Sequence, residues 1–168
     1  MQLSKNFTLN EMLKSPTAER MNIKNTTSDP VIIFNLSELV IKILQPLRDH
    51  LGHPITINSG YRSPETNTAC GGAKTSQHMS GCAADMEVYG MDNKELALTI
   101  RDLGLPFDQI ILEFYKEGQP DSGWVHVSYD PKKAKQRGEF LVFTHETGYT
   151  KFSEELPEVF RNAKVINK

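Results

Sequence analysis

The chain has 168 residues, of which 38% are hydrophobic and 24% are charged. This length and balance predict one globular domain over residues 1–168 and exclude a disordered chain. The formal net charge of −2 argues against a nucleic-acid binder, which usually carries a clustered basic excess. The one basic cluster, residues 132–137, is interpreted as a solvated loop, with attraction to an anionic cell wall as the alternative.

The first residues contain no apolar segment of the kind found in signal peptides. No run approaches the roughly 18 apolar residues of a membrane span. We therefore expect a protein that is made in the cytoplasm without a membrane span. We also expect a monomer. The two cysteines, Cys70 and Cys82, are too few for a disulfide framework. We interpret them as packing residues, with thiolate binding of zinc as the alternative.

The N-terminal part of the chain is predicted to be helical. Thr8 can cap a short helix, which Pro16 ends or interrupts. Asp29-Pro30 suits the start of a longer helix, because Asp is a good cap and Pro a good first residue. Apolar residues then recur at helical spacing, with Pro46 expected to kink the helix and Gly52 to close it.

The later elements alternate between strands, loops and one helix. Ser59–Gly81 is rich in turn-forming residues and is predicted as loop, with one helical turn after Pro64. The other predictions are strands over 54–58, 83–88, 107–114 and 124–129, a helix over 93–103, a hairpin of 139–144 and 149–152, and a last helix over 153–166. The result is an α+β domain with N-terminal helices packed on a small, mostly antiparallel sheet.

One segment, Ser76–Asp85, carries two residues suited to metal binding. His78 and Asp85 stand seven positions apart, and imidazole nitrogen and carboxylate oxygen are both good zinc ligands. A third ligand is offered by His126, which alternates with apolar residues on a predicted strand. Three protein ligands and one water are the usual arrangement of a catalytic zinc ion. Taken singly, each residue is more often a satisfied polar group, and that is our interpretation of the remaining histidines, His50, His53 and His145.

A family resemblance rests on several short motifs taken together. They are Ser59-Gly60-Tyr61-Arg62-Ser63-Pro64, Gly71-Gly72-Ala73, Ser76-Gln77-His78, Gly81, Ala83-Ala84-Asp85 and Trp124-Val125-His126-Val127-Ser128. With this pattern the chain resembles the zinc D-Ala-D-Ala carboxypeptidases of the M15 peptidase family, and most of all their short phage and prophage members. The resemblance implies a hedgehog/D-Ala-D-Ala-peptidase-like fold and one Zn²⁺ held by His78, Asp85 and His126.

A metallopeptidase also needs a carboxylate base. Several proteins of this fold carry it three residues before the last histidine, where this chain has Gly123. We predict Glu113 instead, because a carboxylate in an apolar strand needs a reason to be there. A structural ion pair of Glu113 is the alternative. Glu117 and Asp121, in a polar loop, are the other candidate bases.

The resemblance further implies that Arg62 binds substrate or polarises the scissile carbonyl, while an ion pair with Asp85 or Glu87 is the structural alternative. Ser76 and Gln77 are predicted to add hydrogen bonds to substrate. Ser128 and Asp108 are expected to contact the zinc histidines.

The expected function is therefore hydrolysis of peptidoglycan peptides that contain D-alanine, by a lytic enzyme of the phage or prophage type that acts on the cell wall after release. Two rival functions remain at this point. One is a non-catalytic zinc-binding module, and the other is a structural phage component, such as a tail protein, with the same fold.

Overall fold

The computed structural model describes residues 1–153, which form helices and one six-stranded sheet. The helices are α1 Leu9–Met12, α2 Pro16–Arg20, α3 Pro30–Leu39, α4 Gln45–Leu51, α5 Pro64–Ala69 and α6 Asn93–Asp102. The strands are β1 Thr56–Ser59, β2 Ala83–Glu87, β3 Gln109–Glu113, β4 Trp124–Ser128, β5 Glu139–Thr144 and β6 Gly148–Lys151. The helix predicted over 153–166 lies outside the described residues.

The first helices begin at the predicted caps. Thr8 forms a capping box with Glu11, and the Asp29 side chain accepts a hydrogen bond from the Val31 amide. Between α3 and α4 the helix continues as a π-helical segment, Val40–Leu44, directly before Pro46. Proline has no amide hydrogen to donate in a regular helical turn. The kink predicted at Pro46 therefore takes the form of a wider, π-helical turn just before the proline.

The continuous helix Pro30–Leu51 has 22 residues and contains an 18-residue window with a mean hydropathy of 1.4, which by length and composition alone suffices for a membrane-crossing helix. The expectation that no segment reaches this threshold was therefore wrong. A core helix passes the same test, and here Leu36, Leu39 and Leu44 are fully buried in the main hydrophobic cluster. Each such side chain stabilises the fold by about 1.5–3 kcal/mol.

The sheet has the strand order β1-β2-β4-β3-β5-β6. It is mixed, because β5 runs parallel to β3 while the neighbouring pair β3 and β4 is antiparallel. The predicted α+β class is confirmed, although α5 and α6 follow β1 in the chain and so not all helices precede the strands. The segment predicted mainly as loop contains α5 and a 3-10 turn, Gln77–Ser80.

The two faces of the sheet differ in character because side chains alternate along each strand. One face is apolar and joins the core with α3, α4 and α6; it carries Ala84, Met86, Ile110, Leu112, Val125, Val127 and Val142. The opposite face carries Asp85 on β2, His126 on β4 and Glu113 on β3. We call it the site face, and the core behind it holds its strands in register.

Candidate metal centre

Three separate elements bring together the residues that the sequence predicts as ligands. His78 lies in the 3-10 turn before β2, Asp85 on β2 and His126 on β4. Asp85 and His126 are directly paired across the two antiparallel strands. All three residues are buried, with at most 6% exposure.

The donor atoms of these residues form a small triangle. His126 Nδ1 lies 2.9 Å from Asp85 Oδ1, and His78 Nε2 lies 3.2 Å from both of those atoms. Ligand atoms about 2.0–2.1 Å from a tetrahedral zinc ion lie about 3.3 Å apart. The spacing of the triangle therefore suits one zinc ion.

The orientation of His78 is fixed by its second nitrogen. Nδ1 lies 2.6 Å from the carbonyl oxygen of Gly60, so this nitrogen carries the proton and Nε2 offers a lone pair. Gly60 can reach this position because it has no side chain: a Cβ there would lie 2.4 Å from the Met12 carbonyl oxygen. The glycine of the Ser-Gly-Tyr-Arg motif thus sets the tautomer of a histidine 18 residues later.

Asp85 is oriented by Arg62, whose Nη2 donates to Oδ2 and leaves Oδ1 facing the two histidines. Arg62 Nε also donates to Ser59 Oγ over 2.8 Å. Burial alone would raise the pKa of Asp85, but His78 and His126 outweigh it and hold the pKa below its usual range. Of the two ion pairs considered for Arg62, the structure has the one with Asp85.

Asn25 anchors the segment that carries Arg62. Its amide nitrogen donates to the carbonyl oxygens of Leu13 and Tyr61, and its oxygen accepts from the Ser63 amide. Asn25 is 8% exposed. No local motif distinguishes such a residue, because its partners lie up to 38 positions away.

The chemistry of the triangle fits a metal cation. Each of the three facing atoms is an electron-pair donor, and atoms of this kind so close together require a proton or a cation between them. Two imidazole nitrogens and one carboxylate oxygen are suitable zinc ligands that leave a fourth position for water or substrate. Within residues 1–153, His78, Asp85 and His126 are the group of His, Cys, Asp or Glu side chains close enough to hold a metal.

Glu113 lies on the same face as this cluster, at the end of β3 and opposite Trp124. Burial raises its pKa to about 7, with Asp85 adding to the rise and His126 and Arg62 opposing it. The Trp124 indole lowers the pKa slightly, although its Nε1 makes no hydrogen bond of normal geometry within the described chain. A carboxylate with this pKa can accept a proton near neutral pH.

The bend after Glu113 explains the glycine at position 123. Phe114 has a φ of 55°, and Gly123 a φ of 65°; positive φ is unfavourable for residues with a side chain. A Cβ on Gly123 would lie 1.9 Å from the Glu113 carbonyl oxygen. With this bend of the chain, a glutamate at position 123, three residues before His126, is sterically excluded.

Comparison of the sequence with known proteins identifies the family of this chain. The sequence model of the family described as Peptidase M15 matches residues 5–128, most of the chain. The chain belongs to the peptidase M15 family. It is also 42% identical over 62 residues to the zinc D-Ala-D-Ala carboxypeptidase of Streptomyces albus G. That match covers 36% of this chain and 24% of the relative's length. The cofactor of this M15 chain is zinc, and the His78, Asp85 and His126 cluster is where it fits.

The other carboxylates considered as bases in this M15 chain lie at its surface. Glu117 is 3.4 Å from Lys94 Nζ in an exposed ion pair, and Asp121 is exposed. Neither belongs to the metal cluster. Their positions give no reason to prefer them over Glu113.

Gln77 points to a second buried aspartate. Its Nε2 donates to Asp108 Oδ2 over 3.1 Å, and its Oε1 accepts from Arg137 Nη2 over 3.3 Å. Both ends of the amide are thus occupied, and a role of Gln77 in substrate binding stays a prediction, as it does for Ser76. The expected contacts of Asp108 and Ser128 with the histidines are not made: Asp108 binds Gln77, and Ser128 Oγ accepts from the Gln109 amide.

The two cysteines of this M15 chain stay free thiols in the described structure, Cys70 exposed and Cys82 buried. Burial raises the pKa of Cys82, which disfavours the thiolate that zinc would require. Neither belongs to the metal cluster. Burial of Cys82 agrees with its interpretation as a packing residue, whereas Cys70 is exposed and does not.

Proposed function

We propose that this chain is a zinc peptidase that hydrolyses peptidoglycan peptides at a bond next to D-alanine. The observation that carries the proposal is the proximity, on one sheet face, of a three-donor metal cluster and a carboxylate whose pKa is raised to about 7. The family membership and the zinc D-Ala-D-Ala carboxypeptidase relative support the same class of reaction.

Zinc, when bound, would polarise the scissile carbonyl and acidify the attacking water. His78, Asp85 and His126 would hold it, with the Gly60 carbonyl and Arg62 keeping two of them oriented. This arrangement leaves the proton transfers of the reaction to the protein's own side chains.

Glu113 is proposed to be the base. It would accept a proton from the attacking water and return it to the departing amine. A nearby cation favours a carboxylate, so bound zinc would lower the Glu113 pKa from about 7. We therefore expect the acid limb of the kcat/KM profile at or below neutral pH.

The Arg62 side chain pairs with Asp85 and is still partly exposed to solvent. Its bond to Asp85 supports a positioning role, while 16% exposure of its side chain leaves it accessible from the cleft. Polarisation of the scissile carbonyl by Arg62 is the further role that we propose for it.

The test is Glu113→Gln in the zinc-loaded full chain, with synthetic stem peptide ending in D-Ala-D-Ala and with purified peptidoglycan. The variant should bind zinc like wild type and lose about 100- to 10,000-fold in kcat, because the amide cannot accept the proton. Glu117→Gln is the matched control and should keep full activity. Undiminished turnover by Glu113→Gln would assign the base to another group.

Mass analysis of the products distinguishes the bond cleaved. Free D-alanine indicates carboxypeptidase action, and loss of cross-linked dimers indicates endopeptidase action. Zinc binding without any turnover would favour the non-catalytic zinc module. A lytic role of the phage or prophage type, with synthesis in the cytoplasm and action on the wall after release, extends this proposal and is tested by adding the protein to intact cells and to isolated walls.

A further inference from the structure

The β5–β6 hairpin follows the region matched by the family and adds an edge to the site face. Its strand β5 pairs in parallel with β3, so that Phe143 lies directly opposite Glu113. On β6, Tyr149 lies directly opposite Phe143. Residues paired in this way point to the same face of a sheet.

A row of four side chains therefore crosses the sheet at the level of the proposed base. In spatial order it consists of Trp124, Glu113, Phe143 and Tyr149. Neighbouring strands are about 4.8 Å apart, so the Tyr149 backbone lies roughly 10 Å from that of Glu113. Phe143 stands between Glu113 and Tyr149 in this row and gives that part of the face an apolar floor.

The row runs next to the metal cluster. Asp85, His126 and Ile111 form the adjacent row of the same face, because Ile111 is paired with His126 and stands two residues before Glu113. The row with the metal ligands and the row with Glu113 are thus neighbours on the site face. The row with Glu113 has the aromatic residues.

Tyr149 is supported from below and open above. Its ring packs on Phe143 at 4.5 Å, and Phe143 packs edge-on against Phe114 at 5.3 Å. Tyr149 is nevertheless 61% exposed, and its hydroxyl has no hydrogen-bond partner within residues 1–153. Partial burial raises the pKa of Tyr149, and the charges of Glu113 and Asp85 raise it further.

We propose that Tyr149 is a substrate-binding residue, which forms the aromatic wall of the cleft and donates a hydrogen bond to the backbone of the peptide next to the scissile bond. Aromatic rings with a polar tip suit a site that is apolar on one side and wet on the other. This inference rests on the proposed peptidase function and names the part of the chain that holds the substrate.

The experiment compares Tyr149→Phe and Tyr149→Ala with wild type, using zinc-loaded full chain and the stem peptide ending in D-Ala-D-Ala. We expect Tyr149→Phe to raise KM by roughly 3- to 10-fold through loss of one hydrogen bond. Tyr149→Ala should raise it further, with kcat changed by less than about threefold in both. Tyr89→Phe, at a fully exposed tyrosine, is the control and should leave both constants unchanged.

A merely structural role predicts a different pattern. Loss of packing would lower the melting temperature and the zinc content of Tyr149→Ala, and Tyr149→Phe, which keeps the ring, would behave like wild type. Unchanged KM in both variants, or a loss confined to kcat and stability, would overturn the inference.

Peptide binding can be followed without turnover. Trp124 is the single tryptophan of the chain and lies in the same row, so its fluorescence reports occupation of the cleft. In a Glu113→Gln background, Tyr149→Ala should weaken peptide binding by the factor seen in KM. If wild type binds the peptide without cleaving it, the peptidase proposal is wrong. The Tyr149 inference is then supported by weaker peptide binding of Tyr149→Ala and overturned by unchanged binding. If wild type does not bind it, both are wrong.

Discussion

Asp85 and Asp108 are both buried carboxylates beside an arginine, but they differ in how many hydrogen bonds their other partners donate to them. Asp108 Oδ2 accepts from Lys133 Nζ at 2.7 Å and from Arg137 Nη2 at 2.6 Å, and Gln77 donates to it as well. Asp85 has one donor, Arg62, on Oδ2, and its Oδ1 faces two imidazole nitrogens.

The difference separates a structural carboxylate from a ligand. A buried carboxylate is stabilised by donated hydrogen bonds, and Asp108 has them from the Lys133, Arg137 and Gln77 side chains and from the Arg137 amide. The Asp85 triangle is complete only with a proton or a cation at its centre. The number of hydrogen-bond donors around each buried carboxylate thus distinguishes the metal ligand Asp85 from the structural carboxylate Asp108. Burial does not distinguish them, because their exposures are similar, at 4% and 0%.

The largest expected effect is on zinc affinity. Asp85→Asn removes the charged ligand and should weaken zinc binding by more than about 100-fold, since loss of an outer hydrogen-bond partner alone costs 10- to 100-fold. Asp108→Asn should bind zinc within about tenfold of wild type. Competition with a chromogenic chelator measures both. Equal losses in the two variants would mean that the two aspartates act as one unit.

A smaller effect is expected on stability. Asp108→Asn places an amide among Lys133 and Arg137 and should lower the free energy of unfolding by about 1–3 kcal/mol. The cations are 33% and 41% exposed, so they can turn to solvent and the loss stays below that of an enclosed ion pair. Urea unfolding of the zinc-free protein measures it. Asp102→Asn, at an exposed aspartate paired with Arg101, serves as control and should leave the midpoint unchanged.

The metal cluster could be predicted from the sequence because its determinants are local. His78 and Asp85 are seven positions apart, and the alternating pattern around His126 placed it on a strand with a defined face. Glu113 was predicted from a buried charge in an apolar strand, and the pairing of β3 with β4 places it on the face of the cluster.

The partners of Asp108 and the position of Tyr149 could not be predicted in the same way. Arg137 reaches Asp108 across 29 positions, and no short pattern encodes such a contact. The hairpin was predicted as a hairpin, but its pairing with β3 in parallel depends on the path of the chain between residues 129 and 138. Gly123 was interpreted as the loss of a base, whereas the close approach to Glu113 that requires a glycine is visible only in three dimensions.

The smallest expected effect is a change in acid sensitivity. Burial alone would raise the pKa of Asp108, but the bonds from Arg137 and Lys133 outweigh it and hold the pKa well below its usual range. The unfolded chain therefore binds more protons, so the stability that Asp108 supplies is fully present above its ordinary pKa of about 3.9 and is lost as pH falls below it. In chelator, wild type should lose stability faster than Asp108→Asn on acidification, by at most about 1.4 kcal/mol per pH unit. The free energies of unfolding of wild type and Asp108→Asn, measured from pH 6 to pH 3, should therefore approach each other as the pH falls. If the difference in the free energy of unfolding between the two proteins did not change with pH, Asp108 would not be ionised and fully paired in the folded state. The contrast drawn between Asp108 and Asp85 would then be wrong.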